Sequence, residues 1–232
     1  MTAVVPSPRT TGALSVQHLT RHEDGERLGA LLWRAGPGWR MASSAVLGGG
    51  IGERSWVLNA QVVHGYRRTD PDRHLAELAR DAGEHAPGVG LMTAADVARH
   101  AHGTDAGVEA VVTAAVGVRG WAASPAEGSS GPAAPGTVNI VVAVPAALTD
   151  AALVNAVATA TEAKVQALLD AGYDCSGTPT DAVCVAARVP SGDRLPNAFA
   201  GPRSLWGARL ARAVHTAVRS SLVPGGPPCE GC

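Results

Sequence analysis

The sequence predicts an α+β fold, or a mixed α/β one: a single layered domain with a mixed or mostly antiparallel sheet of five to six strands, packed by about three helices. The first observation is a strand–helix–strand pattern between residues 136 and 189, with polar loops at its junctions. The second is a set of further strand patterns separated by glycine- and proline-rich turns. The third is composition, because 46% of the 232 residues are hydrophobic but only 3% are aromatic. The chain can therefore bury a sizeable core made of Ala, Val and Leu.

One folded domain accounts for most of the chain. We expect residues 1–25 to form a flexible N-terminal segment, residues 26–222 to form the domain, and residues 223–232 to form a flexible Pro/Gly/Cys tail. Apolar runs and alternation predict strands at 28–33, 40–47, 55–63, 108–118, 138–144 and 181–189.

Three substantial helices are predicted from their ends and apolar faces. The first begins at Asp70 and Pro71, which have the residue types of an N-cap followed by an N1 proline. The second has Thr149 as its N-cap and Gly172 just beyond its end. The third covers about 203–222, with an apolar stripe that fades in its last turn.

A glycine cluster at 48–52 follows the second strand pattern. A phosphate-binding loop would need a helix directly after it, so that the helix N-terminal amides could hold the phosphate. A strand pattern follows instead, which favours a hairpin turn. Gly49 and Gly50 would still let a large flat ligand approach the backbone closely.

A His-x-His pair follows a predicted short helix. Thr93 and Asp96 have the spacing of a capping box, with Thr93 as N-cap and Asp96 at N3. His100, His102 and Asp105 come after that helix and are possible metal ligands. Without a third histidine at a fitting spacing the signal for a metal is weak, so a solvated loop is favoured.

Charge and cysteine content argue against several classes of protein. The net charge of −1 provides no general attraction to nucleic acid or an anionic membrane. No apolar run is long enough for a membrane span, and the N-terminus lacks a signal-peptide pattern, so we expect a cytoplasmic protein. Cys229 and Cys232 form a single Cys-Glu-Gly-Cys pair, which is half of a zinc site. A frayed tail is favoured over a redox pair or a shared metal.

Lys164 is the residue that departs most from its surroundings. It lies near the centre of the apolar stripe of the second helix, and it is the one lysine among nineteen Lys and Arg residues. A lysine ammonium is more compact than a guanidinium and loses its proton more readily when desolvated. Two interpretations follow. The stem packs while the amine reaches a carboxylate or the helix end, or the lysine is functional, as a neutral base or a charged anion clamp.

Several segments, in chain order, carry a family pattern. They are Ser43–Leu47 with the glycine turn, Leu58–Val62, Gly90–Val97, Thr137–Ile140, Val154–Lys164, Gly177–Ala182 and Phe199–Pro202. Together, from about residue 40 to residue 222, they resemble the adenosylcobinamide amidohydrolase (CbiZ) family. The stretch around Lys164 followed by Gly-Thr-x-Thr-Asp-Ala is the specific part. Pro179 stands where the family typically has glycine, and Phe199 where tyrosine is common.

The resemblance implies an amide hydrolase that cleaves the aminopropanol amide of adenosylcobinamide, giving adenosylcobyric acid and 1-amino-2-propanol in corrinoid salvage. Its partner would be this small-molecule corrinoid, whose own cobalt makes a protein metal or organic cofactor unnecessary. No nucleic-acid or membrane partner is expected, and a homo-oligomer is possible. Two alternatives stay open: a non-catalytic corrinoid-binding protein, which the loss of a backbone donor at Pro179 would favour, and a hydrolase of another bulky amide.

Amide hydrolysis needs a nucleophile, donors for the oxyanion and an acid for the leaving amine. No Ser-His-Asp pattern, nucleophile elbow or His-Glu-x-x-His motif is visible. We therefore expect Lys164 and Asp181 to act on the reacting carbonyl. Glu162 ranks below them because it lies roughly 160° from Lys164 around the helix axis. The candidate nucleophiles are the hydroxyls of Ser44, Thr178 and Thr180.

The predicted substrate-binding residues are polar or lack a side chain. Asparagine amides can pair with the carboxamides of a corrin rim. Alternatively they close structural hydrogen bonds, since two of them lie inside apolar strands, where an unpaired amide is costly. The predicted binding residues are Ser43, Gly49, Gly50, Asn59, Asn139, Asn155 and Thr178.

Overall fold

The computed structural model describes residues 12–124 and 136–222. Within these ranges the chain forms ten strands, three α-helices and one 3₁₀ turn. The strands are β1 (Val16–Glu23), β2 (Glu26–Arg34), β3 (Trp39–Ser43), β4 (Gly50–Glu53), β5 (Trp56–Gln61), β6 (Val89–Thr93), β7 (Ala101–Asp105), β8 (Val108–Val116), β9 (Gly136–Ala147) and β10 (Ala182–Arg188). The helices are α1 (Pro71–Asp81), α2 (Asp150–Asp170) and α3 (Leu205–Leu222), and the 3₁₀ turn is Val97–Arg99.

Two sheets of unequal size stack on one another. The larger has six strands in the order β4-β3-β10-β9-β8-β7, and the smaller has four in the order β1-β2-β5-β6. Neighbouring strands are antiparallel except for the parallel pairs β9/β10 and β5/β6. Helix α2 is the connection from β9 to β10, and α1 lies in the connection from β5 to β6. Each parallel pair therefore has the crossover helix that parallel strands require.

Three apolar cores separate four layers, in the order helices, large sheet, small sheet, helix. Helices α2 and α3 cover one face of the large sheet, the other face packs on the small sheet, and α1 covers the outer face of the small sheet. Along β9, Val138, Ile140 and Val142 belong to the helix-side core, whereas Val141 and Ala143 belong to the core between the sheets. Burial on both faces explains why this strand reads as a continuous apolar run.

The predicted α+β class is confirmed, and the large sheet and the three helices match the expected count. The helix ends are also confirmed for α2: the Thr149 hydroxyl accepts a hydrogen bond from the Ala152 amide at 3.1 Å, and Gly172 has a φ of +83° just beyond the end. Asp70 precedes α1 as predicted but makes no side-chain cap. The glycine cluster forms an antiparallel hairpin with β3, but Gly50 and Gly52 lie inside its second strand, β4. The strand that was predicted to follow at 55–63 is β5, which lies in the other sheet.

The sequence predicted one sheet, but two of the predicted strands, at 28–33 and 55–63, form β2 and β5 of a second, smaller sheet. Its edge strand β1 lies within the segment 1–25 that was expected to be flexible, so the predicted domain boundary at residue 26 is too late. This strand was missed because polar and charged side chains alternate on it, as is typical of an exposed edge. Residues 1–11 and the 223–232 tail, with Cys229 and Cys232, lie outside the described residues.

The predicted capping box is wrong. Thr93 is the last residue of β6, and its hydroxyl accepts a hydrogen bond from the Ala95 amide. Asp96 instead caps the 3₁₀ turn by accepting from the Ala98 amide at 3.0 Å. The spacing was right for a cap, but the parallel pairing of β6 with β5 extends the strand through Thr93. Within the part of the chain that the structure describes, no helix is long and apolar enough to cross a membrane.

The predicted solvated loop at His100 and His102 is also wrong. His100 is buried, and His102 lies in β7. The Nε2 atoms of these two residues are 3.1 Å apart, and the rings of His18 and His100 have centroids 4.9 Å apart. Burial, together with the nearby His102 and His18, lowers the pKa of His100 to about 4. The folded protein therefore disfavours the protonated form of this side chain.

The stability of the fold should consequently fall between pH 7.5 and pH 5. Unfolded His100 takes up a proton near pH 6.5, whereas the folded residue does so only near pH 4. Stability is therefore present above pH 6.5 and lost as the pH falls toward 4, by about 2 kcal/mol at pH 5. Burial also lowers the pKa of His102, which adds to the loss of stability on acidification.

Urea unfolding of wild type and His100→Gln at both pH values isolates the effect of His100. The variant should lose about 2 kcal/mol less than wild type over this interval. His64→Gln, which changes an exposed histidine, is the control and should keep the wild-type dependence. Equal pH dependence in wild type and His100→Gln would contradict the prediction.

Candidate functional site

The loop before β10 meets three other segments at one edge of the large sheet. Strands β9 and β10 begin at this edge, whereas β3 and β8 end there, as the pairings of Gly136 with Val116 and of Cys184 with Ser43 show. The second half of α2 packs over the same edge, which brings Lys164 to Asp181. Parallel pairing of β9 and β10 thus gathers residues that are far apart in sequence.

The Asp181 carboxylate lies at the centre of this edge and receives four hydrogen bonds. Oδ1 accepts from the Val138 amide at 2.8 Å and from the Thr178 hydroxyl at 2.5 Å. Oδ2 accepts from Lys164 Nζ at 2.5 Å and from the Thr178 amide at 3.1 Å. Two donors on each oxygen occupy the acceptor positions of a carboxylate. The group is therefore held in one orientation, with its charge matched by the ammonium.

Lys164 reaches Asp181 from the buried side of α2. Its side chain is only 8% exposed, and that of Asp181 only 10% exposed. The apolar stripe predicted for the helix is buried around it: Leu153, Ala160 and Leu168 all face the core. The ammonium has three N–H donors, of which one is directed at Asp181. Further donor capacity remains for a group that approaches from the edge of the sheet.

Gly177 completes the enclosure of the ion pair. A Cβ atom at this position would lie 2.2 Å from Asp181 Oδ2 and 2.5 Å from Lys164 Nζ. Its φ of +148° also lies in a region that other residues rarely adopt. Only glycine allows the backbone to pass this close to the two charged groups.

Three threonine hydroxyls surround the carbonyl oxygen of Gly136, the first residue of β9. Their distances to that oxygen are 2.8 Å for Thr137, 2.9 Å for Thr178 and 3.1 Å for Thr180. Thr137 and Thr180 are also 2.7 Å apart, hydroxyl to hydroxyl. Each hydroxyl has a single hydrogen to donate. If Thr178 donates its hydrogen to Asp181, only Thr137 and Thr180 can donate to the Gly136 carbonyl. Thr180 is exposed, so it is the hydroxyl of this group that a ligand can reach.

Ser43 and Ser44 flank Asp181 on the other side, at the end of β3. The Ser43 hydroxyl donates to the Val183 carbonyl at 3.0 Å. The Ser44 hydroxyl accepts from the Val183 amide at 3.0 Å, and Ser44 is exposed. Gly49 and Gly50 are exposed in the following hairpin, where Gly50 pairs with Ser43. All four predicted residues therefore lie near the start of β10.

The predicted residue Glu162 lies elsewhere. It is exposed on the outer face of α2, and Lys164 faces the core. The helical geometry that ranked Glu162 below Lys164 in the sequence therefore separates the two side chains. The structure does not bring Glu162 to Asp181.

Asn59 and Asn139 are buried between the two sheets. Asn139 Nδ2 donates to Asn59 Oδ1 at 2.9 Å and to the Met92 carbonyl at 3.0 Å, and Asn59 Nδ2 donates to the Thr113 hydroxyl at 2.9 Å. These contacts support the structural alternative and leave neither amide open to a substrate. Asn155 is exposed on α2, where its Oδ1 accepts from the Ala200 amide at 3.3 Å. Asn155 therefore holds the 199–201 segment. It lies in the first half of α2, on a different turn from Lys164.

The possible metal ligands do not come together. Among residues 12–124 and 136–222, no group of three or more His, Cys, Asp or Glu side chains is arranged to hold a metal ion. Asp105 pairs with Arg212 of α3 at 2.5 Å rather than with the histidines. A cavity of about 460 Å³ lies beneath α1, lined by Arg54, Trp56 and Arg80 among others, and none of the predicted site residues lines it.

Two members of the cluster were missed in the sequence. Thr137 sits inside a strand and reads as an ordinary β-branched residue, although its motif was part of the family pattern. Gly177 stood in that pattern too, but its role depends on the approach of Lys164 from another element. The available signal was the concentration of threonine and glycine on both sides of Asp181.

Known proteins of one family are similar to this chain. The family model described as adenosylcobinamide amidohydrolase (CbiZ) matches residues 14–224. The curated adenosylcobinamide amidohydrolase of Methanosarcina mazei is 32% identical over 188 residues, covering 78% of this chain and 89% of that protein. The protein of the same name from Halobacterium salinarum is 48% identical over 91 residues, covering 39% of this chain and 37% of its own.

A solved structure shares the fold. The PH0078 protein from Pyrococcus horikoshii OT3 superposes with a TM-score of 0.51 at 12% sequence identity. The match covers 94% of this chain and 88% of that one. At this identity the likeness concerns the arrangement of the elements alone.

Removing Asp181 should destabilise the protein more than removing Lys164. Asp181→Ala leaves a buried ammonium without its counter-charge and frees the Val138 and Thr178 amides, which should cost about 3–5 kcal/mol. In Lys164→Met the carboxylate keeps three donors, so the loss should be clearly smaller. The double variant should lose less than the two single variants together.

Guanidinium or urea unfolding of the three variants measures these losses. Asp105→Ala is the control, because its pair with Arg212 has the same 2.5 Å separation but an exposed arginine. That substitution should cost less than about 1 kcal/mol. If Asp181→Ala lowered the free energy of unfolding no more than Asp105→Ala does, the predicted contribution of Asp181 to stability would be refuted.

Proposed function

The chain belongs to the adenosylcobinamide amidohydrolase family, and we propose that it hydrolyses its corrinoid substrate at the Lys164–Asp181 cluster. The enzyme is an amide hydrolase of corrinoid salvage. It cleaves the amide between aminopropanol and a corrin side chain, so that water is added across the C–N bond. The products are adenosylcobyric acid and 1-amino-2-propanol.

The buried ion pair is the observation that carries the choice of site. A buried salt bridge is weak evidence for stability, because apolar residues of similar size often serve a core equally well. Lys164 is nevertheless retained on a helix stripe that is otherwise apolar. It also lies beside exposed hydroxyls at a sheet edge that a ligand can reach. A catalytic role accounts for a charge in this position better than packing does.

In this proposal Lys164 stabilises the developing oxyanion. We assign it this role rather than that of a general base, because its Nζ donates to Asp181 and this contact holds the donor in one position. Attack on the amide carbon turns the carbonyl oxygen into an oxyanion, and a fixed N–H donor in a partly dry site stabilises that charge. Asp181 is a positioning residue here, because its acceptor positions are filled.

The attacking group is assigned to the Thr180 hydroxyl or to a water that it orients. Thr180 is exposed, follows directly on the turn at Pro179 and precedes Asp181. Its hydrogen bond with Thr137 holds the hydroxyl in place. The proton that the attacking group loses passes to the nitrogen of the leaving 1-amino-2-propanol as the C–N bond breaks. The Thr178 hydroxyl is already directed at Asp181. Ser44 remains the second candidate, since its exposed hydroxyl oxygen accepts from the Val183 amide while its own hydrogen is not used in that bond.

Pro179 does not weaken this assignment. The non-catalytic alternative rested on the backbone donor lost at this position. The donors to Asp181 come from residues 138, 164 and 178, and none comes from residue 179. Pro179 is exposed in the turn that leads to Asp181, a place that its fixed φ suits.

No protein metal or organic cofactor enters the proposed reaction, because hydrolysis needs only water and the cobalt is part of the substrate. We assign the reaction to the cytoplasm. Cys175 and Cys184 are buried free thiols, as is usual in a reducing compartment. Burial raises the pKa of the Cys184 thiol to about 12, so that thiol stays protonated and inert.

Purified, EDTA-treated protein should convert adenosylcobinamide to adenosylcobyric acid and 1-amino-2-propanol, read by mass spectrometry. Lys164→Met should fold but lose about 100- to 1,000-fold in kcat, the usual effect of removing an oxyanion donor. Gln166→Ala, an exposed change on the same helix, should retain wild-type turnover. Tight corrinoid binding by wild type without product would establish the alternative of a non-catalytic corrinoid-binding protein. Faster cleavage of another bulky amide would establish the alternative of a hydrolase with a different substrate.

Substitution of single hydroxyls tests the attacking group. Thr180→Val should lower kcat at least about 100-fold, whereas Ser44→Ala should lower it less than about tenfold. Rapid denaturation during turnover, followed by intact-mass measurement, would reveal a covalent ester if Thr180 itself attacks. The reverse order of the two variants would move the nucleophile to the end of β3.

A further inference from the structure

An exposed tryptophan lies beside the Lys164–Asp181 cluster. Trp121 is 44% exposed in a chain with only five tryptophans. Its neighbour Gly120 exchanges hydrogen bonds with the loop before β10: the Gly120 amide donates to the Gly177 carbonyl at 3.1 Å, and the Ser176 amide donates to the Gly120 carbonyl at 3.0 Å. Trp121 is therefore one residue from backbone that is paired with the glycine enclosing the ion pair.

The segment that carries Trp121 is held on both sides. The Ala122 amide donates to the Ser176 hydroxyl at 2.8 Å, and that hydroxyl lies 3.2 Å from the Gly120 carbonyl. The backbone that carries Trp121 is therefore fixed, while its large aromatic side chain is exposed and forgoes the free energy of burial. Such a side chain is suited to contact with a ligand, because the segment that carries it does not have to be ordered on binding.

A second exposed apolar side chain lies on the opposite side of the cluster. Val46 is 54% exposed and follows Ser44, which is anchored to Val183 through both its amide and its hydroxyl. Val46 follows the end of β3, on one side of β10. Trp121 follows the end of β8, on the side of β9, and the bonds of Gly120 hold its segment against the loop before β10.

We propose that Trp121 and Val46 contact the apolar faces of the corrin ring and so hold the scissile amide over Lys164. The inference rests on the proposed function, and it concerns how the substrate is recognised. The bond that breaks lies on a side chain of a macrocycle much larger than the reacting group. An enzyme that orients such a substrate needs binding contacts remote from the bond that breaks. Two apolar groups on either side of the charged centre provide them.

Steady-state kinetics with adenosylcobinamide tests this assignment. Trp121→Ala should raise KM about tenfold, the effect of losing an aromatic anchor, with kcat within about twofold of wild type. Trp121→Phe should restore most of the affinity, since it keeps an aromatic face. Val46→Ser should raise KM by less. Val154→Ala is the matched control, because Val154 is 60% exposed but lies in the first half of α2, at the opposite edge of the sheet, and its KM should equal that of wild type.

Corrinoid binding gives a second measurement that does not need turnover. Titration calorimetry of adenosylcobinamide into Lys164→Met should show a Kd about tenfold higher when Trp121→Ala is added. If wild type binds but does not hydrolyse, the proposed function fails while this comparison still decides the role of Trp121. Unchanged KM and Kd in Trp121→Ala would overturn the inference, and so would a fall in kcat alone. No corrinoid binding by wild type would overturn both proposals.

Discussion

The hydrogen bonds of one carboxylate join the parts of the chain on which the site depends. Asp181 lies just before β10. Its carboxylate accepts hydrogen bonds from the Val138 amide in β9, from the Thr178 amide in the preceding loop and from Lys164 on the buried face of α2. The ladder between β9 and β10 would hold the strands without it. The carboxylate adds a hydrogen-bonded link between the start of these two strands and the second half of the crossover helix. Because that link is an ion pair, the contact that closes the β9–α2–β10 unit also brings a positive charge to the sheet edge.

Burial of the large sheet on both faces imposes a second constraint. Polar side chains inside its strands have no water to bond with, so they must pair with one another. Asn59 and Asn139 do so across the gap between the sheets, where Thr113 completes the chain of hydrogen bonds. Asn139 Oδ1 is buried without a hydrogen-bond partner among the described residues. The network therefore favours one register of the two sheets over others, because a shifted sheet would leave more of these groups unpaired.

A core short of aromatics needs close approach of the backbones instead. Small residues allow it where α3 crosses β7: a Cβ on Gly103 would lie 2.0 Å from the Ala213 carbonyl oxygen. Ala213 and Ala217 are buried at the same contact. The few tryptophans that are present have particular positions. Trp33 and Trp39 pack edge to face between the sheets, whereas Trp121 lies at the surface next to the site.

Local pattern was sufficient for the elements and residues whose neighbours in space are also neighbours in sequence. The β9–α2–β10 unit, the ends of α2 and the anomalous position of Lys164 follow from periodicity and capping, since each depends on residues within a few turns. Lys164 and Asp181 could be proposed together because they belong to two consecutive family segments, Val154–Lys164 and Gly177–Ala182. Strand β1, the burial of His100 and the capping role of Asp96 were not predicted, because polar composition hides an edge strand and a strand extended by pairing overrides a local cap signal.

The sequence by itself determined the family, the α+β class and the one lysine at which we propose the site. The tertiary structure alone decided that two sheets stack and that Asn59 and Asn139 bond to one another in the core between them. It also decided that Glu162 lies away from Asp181, that Thr137 lies close to it, and that the segment of Trp121 pairs with the loop before β10. The physical reason is the range of the interactions. Periodicity records which face of an element is apolar, but it does not record which distant segment will cover that face. Strand order and register make that choice, and they depend on the packing of the whole chain.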